Sequence, residues 1–183
     1  MLRTLLRTVL VCSGLIASGC LDNSGRRAPS TPERNAQVLQ LYRDYQAEAF
    51  EGVADVSVND LKSQSGSRAL VLVDCREPEE REISVIPGAI SREEFDADRE
   101  RYRDHWIVPY CTIGYRSGVY TRDLVQNGFE AANLIGGVLS WAHEGGTFVS
   151  PAGTSTHDVH VYGPTWNLLP DGYRPFWDGE ARP

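Results

Sequence analysis

The chain has 183 residues, enough for one domain with appendages and too few for two large ones. With 41% hydrophobic and 23% charged residues it has neither a disordered nor a low-complexity composition. Its formal net charge is −7 and no basic run is long enough to follow a phosphate backbone, which argues against nucleic acid as a partner and leaves any anionic ligand to be held by local geometry.

Arg3 and Arg7 precede an apolar stretch from Thr8 to Ile16 that ends in Ala17-Ser18-Gly19-Cys20. The pattern predicts a signal peptide over residues 1–19, because the apolar run is too short to span a bilayer and the small residues suit a signal peptidase. The same four residues resemble a bacterial lipobox, which would make Cys20 the lipidated first residue of the mature protein. Ala17 stands where such a box usually has Leu, so cleavage by ordinary signal peptidase stays open; lipidation is preferred, since a bacterial-type leader ending on a chance cysteine is less economical. The expectation is an exported bacterial protein on the periplasmic side, anchored to a membrane through Cys20, with residues 20–30 as a tether.

An N-terminal helix is expected over residues 31–52, with Thr31 as N-cap, Pro32 at the first helical position and Glu33 in the first turn. Val38, Leu41, Tyr42, Tyr45 and Ala49 fall on one face and read as core packing. From Val56 to His143 short apolar runs alternate with amphipathic stretches, which predicts an α/β fold, an open parallel sheet flanked by helices. Val56-Ser57-Val58 reads as the first strand, Asn59 as the cap of a helix through Ser65, and Ala69–Asp74 as a buried strand. Pro78 to Ile83 reads as helical, Pro87-Gly88 as a turn into Ala89-Ile90, and Arg92 to Arg103 as a charged helix. Trp106–Tyr110 reads as a strand despite Pro109, whose missing N–H breaks one ladder bond in a central position. Ser117 to Asn127 is a predicted helix stopped by Gly128, Asn133–Ile135 the last strand of the alternation, and Val138 to His143 a short helix. Residues 147–183 form a C-terminal extension with six aromatic residues, Phe148, Tyr162, Trp166, Tyr173, Phe176 and Trp177. It is expected to lie over the core, with turns at Pro151-Ala152-Gly153 and Pro170-Asp171-Gly172 and a strand at Val159–Tyr162; an aromatic lid or partner surface is the other reading.

Cys12 leaves with the leader and Cys20 is taken up by lipid, so the mature thiols are Cys75 and Cys111, each at the end of a predicted strand. Ligands of open α/β sheets bind beyond the carboxyl ends of the strands. Cys111 falls there, before Thr112-Ile113-Gly114-Tyr115-Arg116-Ser117 and a new helix. A turn of inward-pointing N–H groups closing onto a helix start makes an anion-binding concavity that stabilises a thiolate. Gly114 lets that turn curl, and Arg116 adds a fixed positive charge. The plainer reading of Cys111 is a small buried hydrophobe.

Cys111-x-x-Gly114-x-Arg116-Ser117-Gly118 resembles the active-site loop of single-domain rhodaneses, the thiosulfate sulfurtransferase family. Val73-Asp74-Cys75-Arg76-Glu77-Pro78-Glu79-Glu80 resembles that family's first signature, Ile86-Pro87-Gly88-Ala89-Ile90 its second, and Asn133-Leu134-Ile135-Gly136-Gly137-Val138-Leu139-Ser140-Trp141 its closing segment. The resemblance covers about residues 53–146. Val85 replaces a common histidine, Cys75 a common valine, and Pro109 interrupts the nucleophile's strand. What the resemblance implies is sulfur transfer: Cys111 takes the outer sulfur of thiosulfate or a persulfide donor and passes it to a thiol or cyanide, with no cofactor and no metal. Residues 112–117 would bind the donor, and Asp74, Arg76 and Cys75 would support the site.

Competing readings remain. Cell-cycle phosphatases and arsenate reductases share the architecture, but their loops are one residue longer, and the Cys-x4-Arg spacing here makes a smaller cradle. A non-catalytic rhodanese-like binding module is a second alternative, against which stand the cysteine, Gly114 and Arg116. A Cys75/Cys111 thiol redox protein is a third, resting on neighbouring strand ends. Asp74 and Arg76 read equally as rim supports or as a structural ion pair, and Glu77 as a helix-start residue. His157 and His160 are three residues apart without a further ligand at metal spacing.

Overall fold

A computed structural model describes residues 27–178. The expected leader, Cys20 and most of the tether lie outside the described residues. Helix α1 (Thr31–Ala49) starts one residue earlier than its sequence cap suggests: Ser30 is the N-cap, and the Glu33 carboxylate accepts from its N–H at 2.6 Å and its hydroxyl at 2.7 Å. Val38 and Tyr42 are its buried residues, with Leu41 and Tyr45 half-buried beside them.

Strand β1 (Asp55–Val56) is shorter than expected, because the Ser57 hydroxyl accepts from the Asp60 N–H at 3.1 Å and starts helix α2 (Val58–Gln64). Ser57, not Asn59, is therefore the cap. Strand β2 (Leu70–Asp74), helix α3 (Pro78–Arg81), strand β3 (Ile90–Ser91) and helix α4 (Arg92–Ala97) follow. The charged helix expected through Arg103 breaks at Asp98, whose backbone leaves the helical region (φ −144°), and continues as a 3-10 turn over Arg99–Tyr102. Strand β4 (Trp106–Tyr110), helix α5 (Tyr115–Gln126), strand β5 (Asn133–Leu134) and helix α6 (Gly137–His143) complete the alternation. Helix α5 begins at Tyr115, two residues before the expected Ser117, because Gly114 in a left-handed conformation serves as its cap.

All pairings among β1 to β5 are parallel: β3-β2-β4 form one ladder and β1-β5 another, joined by a bridge between Ile107 and Ala131. Pro109 explains the division. Ile107 donates to the Glu130 carbonyl and accepts from the Ala132 N–H; the next donor towards β5, two residues on, is the nitrogen that proline lacks. The expected loss of a ladder bond thus falls on the β4–β5 side and leaves the β2–β4 pairing whole.

Every residue of β4 is buried. Trp106, Val108 and Tyr110 point into one core with Val38, Leu61, Leu134 and Leu139, while Ile107 packs on the other face with Val73, Phe95, Tyr120 and Leu124. Alternation at period two thus feeds two helix-covered faces.

Beyond α6 come strands β6 (Phe148–Val149), β7 (Ser155–Thr156), β8 (Asp158–His160) and β9 (Arg174–Phe176), with a 3-10 turn at Pro164–Trp166. Strands β6 and β7 pair antiparallel, and β8 and β9 parallel. Val149 exchanges two 2.9 Å hydrogen bonds with Val85, and Phe148, Val159, Val161, Leu168 and Leu169 join the first core.

Candidate active site

Strand β4 delivers Cys111 to the carboxyl edge of the parallel sheet, where the chain turns through four residues into α5. Gly114 (φ +99°) bends back so that its N–H donates to Cys111 Sγ at 3.2 Å. Two further hydrogen bonds hold the loop from behind: the Val138 and Leu139 N–H groups donate to the carbonyls of Cys111 (3.0 Å) and Thr112 (3.3 Å). This approach requires Gly137, whose φ is +53° and where a Cβ would collide with the Cys111 carbonyl. Asn133, the first residue of β5, donates through Nδ2 to the Gly114 carbonyl at 2.9 Å and to Tyr42 Oη at 3.1 Å.

Cys111 is only 1% exposed, yet it lies in a pocket of about 440 Å³ with Thr112, Ile113, Tyr115 and Arg116. The Arg116 guanidinium is clamped in a two-pronged pair with Glu80: Nη1 donates to Oε2 at 2.6 Å and Nη2 to Oε1 at 2.9 Å. Thr112 Oγ1 donates to the same carboxylate at 2.9 Å and accepts from Arg116 Nη2 at 3.2 Å. Burial is the largest influence and pushes the Glu80 carboxyl up, but the hydrogen bonds and charge of Arg116, the Glu77 N–H and the charge of Arg76 together outweigh it and hold the group below its ordinary value. For Arg116 burial likewise weighs against charge and is outweighed by the hydrogen bond to Glu80 and by Cys111, so it stays protonated more firmly than usual.

Of the expected site, Cys111, Thr112, Ile113, Tyr115 and Arg116 thus line one pocket, and Gly114 forms the turn behind it. Ser117 does not reach it: the residue is fully buried in α5, and its carbonyl accepts from Thr121. Asp74 and Arg76 form a buried ion pair, with Arg76 Nε and Nη2 donating to the carboxylate and Nη2 also to the Ser84 carbonyl at 2.7 Å. Tyr110 Oη donates to Asp74 at 2.7 Å and accepts from the Ile86 N–H. The network ties β2, β4 and the segment before β3 together, and none of its three side chains lines the pocket. Cys75 is a free thiol, as is Cys111, and burial pushes it well above the ordinary thiol range, with Cys111 and Asp74 adding to the effect. Cys20 lies outside the described residues. Among the described residues, no group of three or more His, Cys, Asp and Glu side chains is placed to hold a metal ion.

Several pocket residues carry no local signal in the sequence. Tyr45, read as core packing, is half-buried and turns its ring to the pocket; Tyr162 and Trp166 reach it from the extension, and Glu77 stands 3.8 Å from Arg116 while also capping α3. Glu80 belongs to the same first signature as Asp74, but only the fold shows that it meets Arg116. His160 is buried with Nδ1 3.9 Å from Glu80 Oε1 and accepts from the Tyr162 N–H. The aromatic density of the extension was the one available pointer.

The parallel α/β sheet thus presents Cys111 inside a glycine-arginine turn at its carboxyl edge. Residues 57–144 match the model of the rhodanese-like domain family. No curated protein matches the chain. Among solved structures, a rhodanese-related protein from Thermoplasma volcanium is 27% identical, covering 52% of this chain and 97% of that one with a TM-score of 0.47. A rhodanese-like domain protein from Staphylococcus aureus is 25% identical, over 54% and 98% of the two chains, with a TM-score of 0.46. A thiosulfate sulfurtransferase from Pseudomonas aeruginosa is similar in fold, with a TM-score of 0.50 at 20% identity, over 66% of this chain and 24% of that one.

Proposed function

We propose that the protein is a sulfurtransferase that carries sulfane sulfur as a persulfide on Cys111. The observation that carries the reading is the Gly114 N–H aimed at Cys111 Sγ in a pocket beside Arg116. A thiolate at Sγ attacks the terminal sulfur of a donor such as thiosulfate or a persulfide; the new S–S bond forms as the donor's S–S bond breaks, and sulfite or the donor thiolate leaves with the electron pair. The Gly114 amide supports the negative sulfur before and after this step. A thiol or cyanide then takes the outer sulfur and restores the Cys111 thiolate. No metal or cofactor enters either step. Burial of Cys75 keeps its thiol protonated, which makes it a poor resolving nucleophile and favours transfer over a dithiol cycle.

The proposed setting is the periplasmic side of a bacterial membrane, with the domain tethered by lipid on Cys20; the support is the leader-like composition of residues 1–19 and the small residues before Cys20. Palmitate labelling that depends on Cys20 tests that part.

The experiment for the activity is intact mass and peptide mapping of the reduced protein after thiosulfate treatment, with Cys111→Ser as control. The expected result is a gain of one sulfur, about 32 Da, on Cys111 that dithiothreitol reverses, since two oxygens of the same mass would persist. An unmodified Cys111 after both thiosulfate and polysulfide overturns the reading.

A further inference from the structure

The pocket over Cys111 is walled by four aromatic rings, and three of them come from outside the segment that matches the family model: Tyr45 from α1, and Tyr162 and Trp166 from the extension. The fourth, Tyr115, opens α5. Tyr45 sits at the centre of this wall, with its ring centroid 5.2 Å from that of Tyr115 and 6.0 Å from that of Trp166. A volume of about 440 Å³ falls within the range of sites that enclose organic ligands, and a small tetrahedral anion would leave most of the aromatic wall in contact with water.

The charges in the pocket point the same way. Arg116 is its one cation among the lining residues, and both of its Nη atoms are already on Glu80, with Glu77 a further 3.8 Å contact. A dianion therefore meets a guanidinium whose charge is compensated by two carboxylates. A cationic ligand fits no better, because Arg116 itself lies over the Tyr162 ring, 5.5 Å from its centroid. What remains is an apolar group.

Tyr162 adds an independent observation. Among the described residues it is the one non-glycine residue with positive φ (+70°), a conformation that costs an aromatic residue strain. Its N–H is held by His160 Nδ1 at 3.2 Å, and the residue is 60% exposed, so core packing does not account for the strained turn. The turn instead sets the ring at the pocket edge.

We propose that the sulfur donor at this site is an organic sulfane compound whose carrier bears an apolar ring or chain, packed against Tyr45, Tyr162 and Trp166 while its terminal sulfur meets Cys111. The proposal rests on sulfur transfer through Cys111. With an aryl thiosulfonate the Cys111 thiolate attacks the terminal sulfur, the S–S bond of the donor breaks, and the aryl sulfinate leaves with the electron pair; two negative charges enter the step and two leave it, and no other reactant is needed. The aromatic wall makes α1 and the extension the specificity-determining parts of the chain.

The test compares three donors on the full chain, benzenethiosulfonate, methanethiosulfonate and thiosulfate, with cyanide as acceptor and thiocyanate as the readout. The first two carry the same charge and both release a sulfinate, so the change in their ratio between wild type and the wall variants isolates contact with the ring. The expected wild-type kcat/KM is about tenfold higher for the benzene than for the methane compound, the scale of one or two aromatic contacts, with thiosulfate below both. Tyr162→Gly keeps the fold, since glycine takes the left-handed turn without strain; it and Trp166→Ala should each lower the benzene-to-methane ratio several-fold, chiefly through KM. A wild-type ratio near one, a preference for thiosulfate, or a ratio unmoved in both variants overturns the proposal while leaving sulfur transfer standing. If none of the three donors places sulfur on Cys111, the transfer reading fails and the proposal with it.

Discussion

The ring of Tyr42 fills the space that a Cβ on Gly114 would need, with Cε2 2.6 Å from that position, so α1 packs directly on the cysteine loop. Gly118, one turn into α5, is pressed in the same way by the Phe50 ring at 2.6 Å. The turn that presents the Gly114 N–H to Cys111 is therefore shaped from outside by a helix that the matched family segment does not include.

Gly114→Ala tests that dependence. The substitution forces a side chain into a left-handed conformation, at about 1–3 kcal/mol, and drives it into the Tyr42 ring, where overpacking adds a cost of similar size. The expected outcome is a lower Tm together with loss of sulfur loading on Cys111, read by thermal unfolding and intact mass. Wild-type loading in the variant would show that the loop does not need this turn.

The Glu80–Arg116 pair gives a prediction with a pH signature. The Glu80 carboxyl lies below its ordinary value of 4.5 in the folded chain, so its stabilisation is fully present above that value and is lost as pH falls through the lowered one. Glu80→Gln should cost up to about 3 kcal/mol, because it takes the nearer of two carboxylates away from a half-buried guanidinium. The Tm gap between wild type and variant should hold from neutral pH down to about 4.5 and close below it. A gap of constant size at pH 3 would mean that the carboxylate charge is not what stabilises the pair.

How legible this site was follows from how local its parts are. The apolar run at Ala69–Asp74 and the turn at Cys111–Arg116 announce themselves within a few residues, because buried parallel strands are continuous in hydrophobicity and a glycine-arginine turn is a contiguous motif. Helix starts shifted by one or two residues, at Ser30, Ser57 and Gly114, because caps are decided by which side chain or left-handed residue reaches the backbone first. Glu80 against Arg116 and Asn133 against Gly114 were out of reach, since no spacing rule relates groups brought together by crossovers of the sheet. Tyr45, Tyr162 and Trp166 illustrate the same limit: helical periodicity places Tyr45 on an inward face, but not at the rim of a pocket that only the returning extension completes.

Asp74, Arg76 and Tyr110 should behave as a structural unit. Arg76→Ala strands a carboxylate that is 1% exposed, a loss of about 3–5 kcal/mol, whereas Tyr110→Phe removes one hydrogen bond to it and leaves the ion pair, at about 1–2 kcal/mol. Urea unfolding of the two variants gives the comparison, and their Cys111 loading under conditions where both remain folded should match wild type. A selective loss of loading in folded Tyr110→Phe would instead give this network a part in the chemistry.

Ending the chain after Gly146 should abolish a stable fold even though the matched family segment, residues 57–144, is retained. The extension places Phe148, Val159, Val161, Leu168 and Leu169 in the first core, and burial of each such side chain is worth about 1.5–3 kcal/mol. Together these exceed the net stability of an ordinary domain, about 5–15 kcal/mol, at the middle of both ranges. The cut also removes the Leu168 carbonyl that His143 Nε2 meets at 2.8 Å and the Val149 partner of Val85. The expected result is aggregation or a molten state, seen as dye binding and loss of the near-ultraviolet circular dichroism signal. A soluble, cooperatively unfolding product would show instead that the extension rides on a self-sufficient domain, and its aromatic residues would then serve the pocket alone.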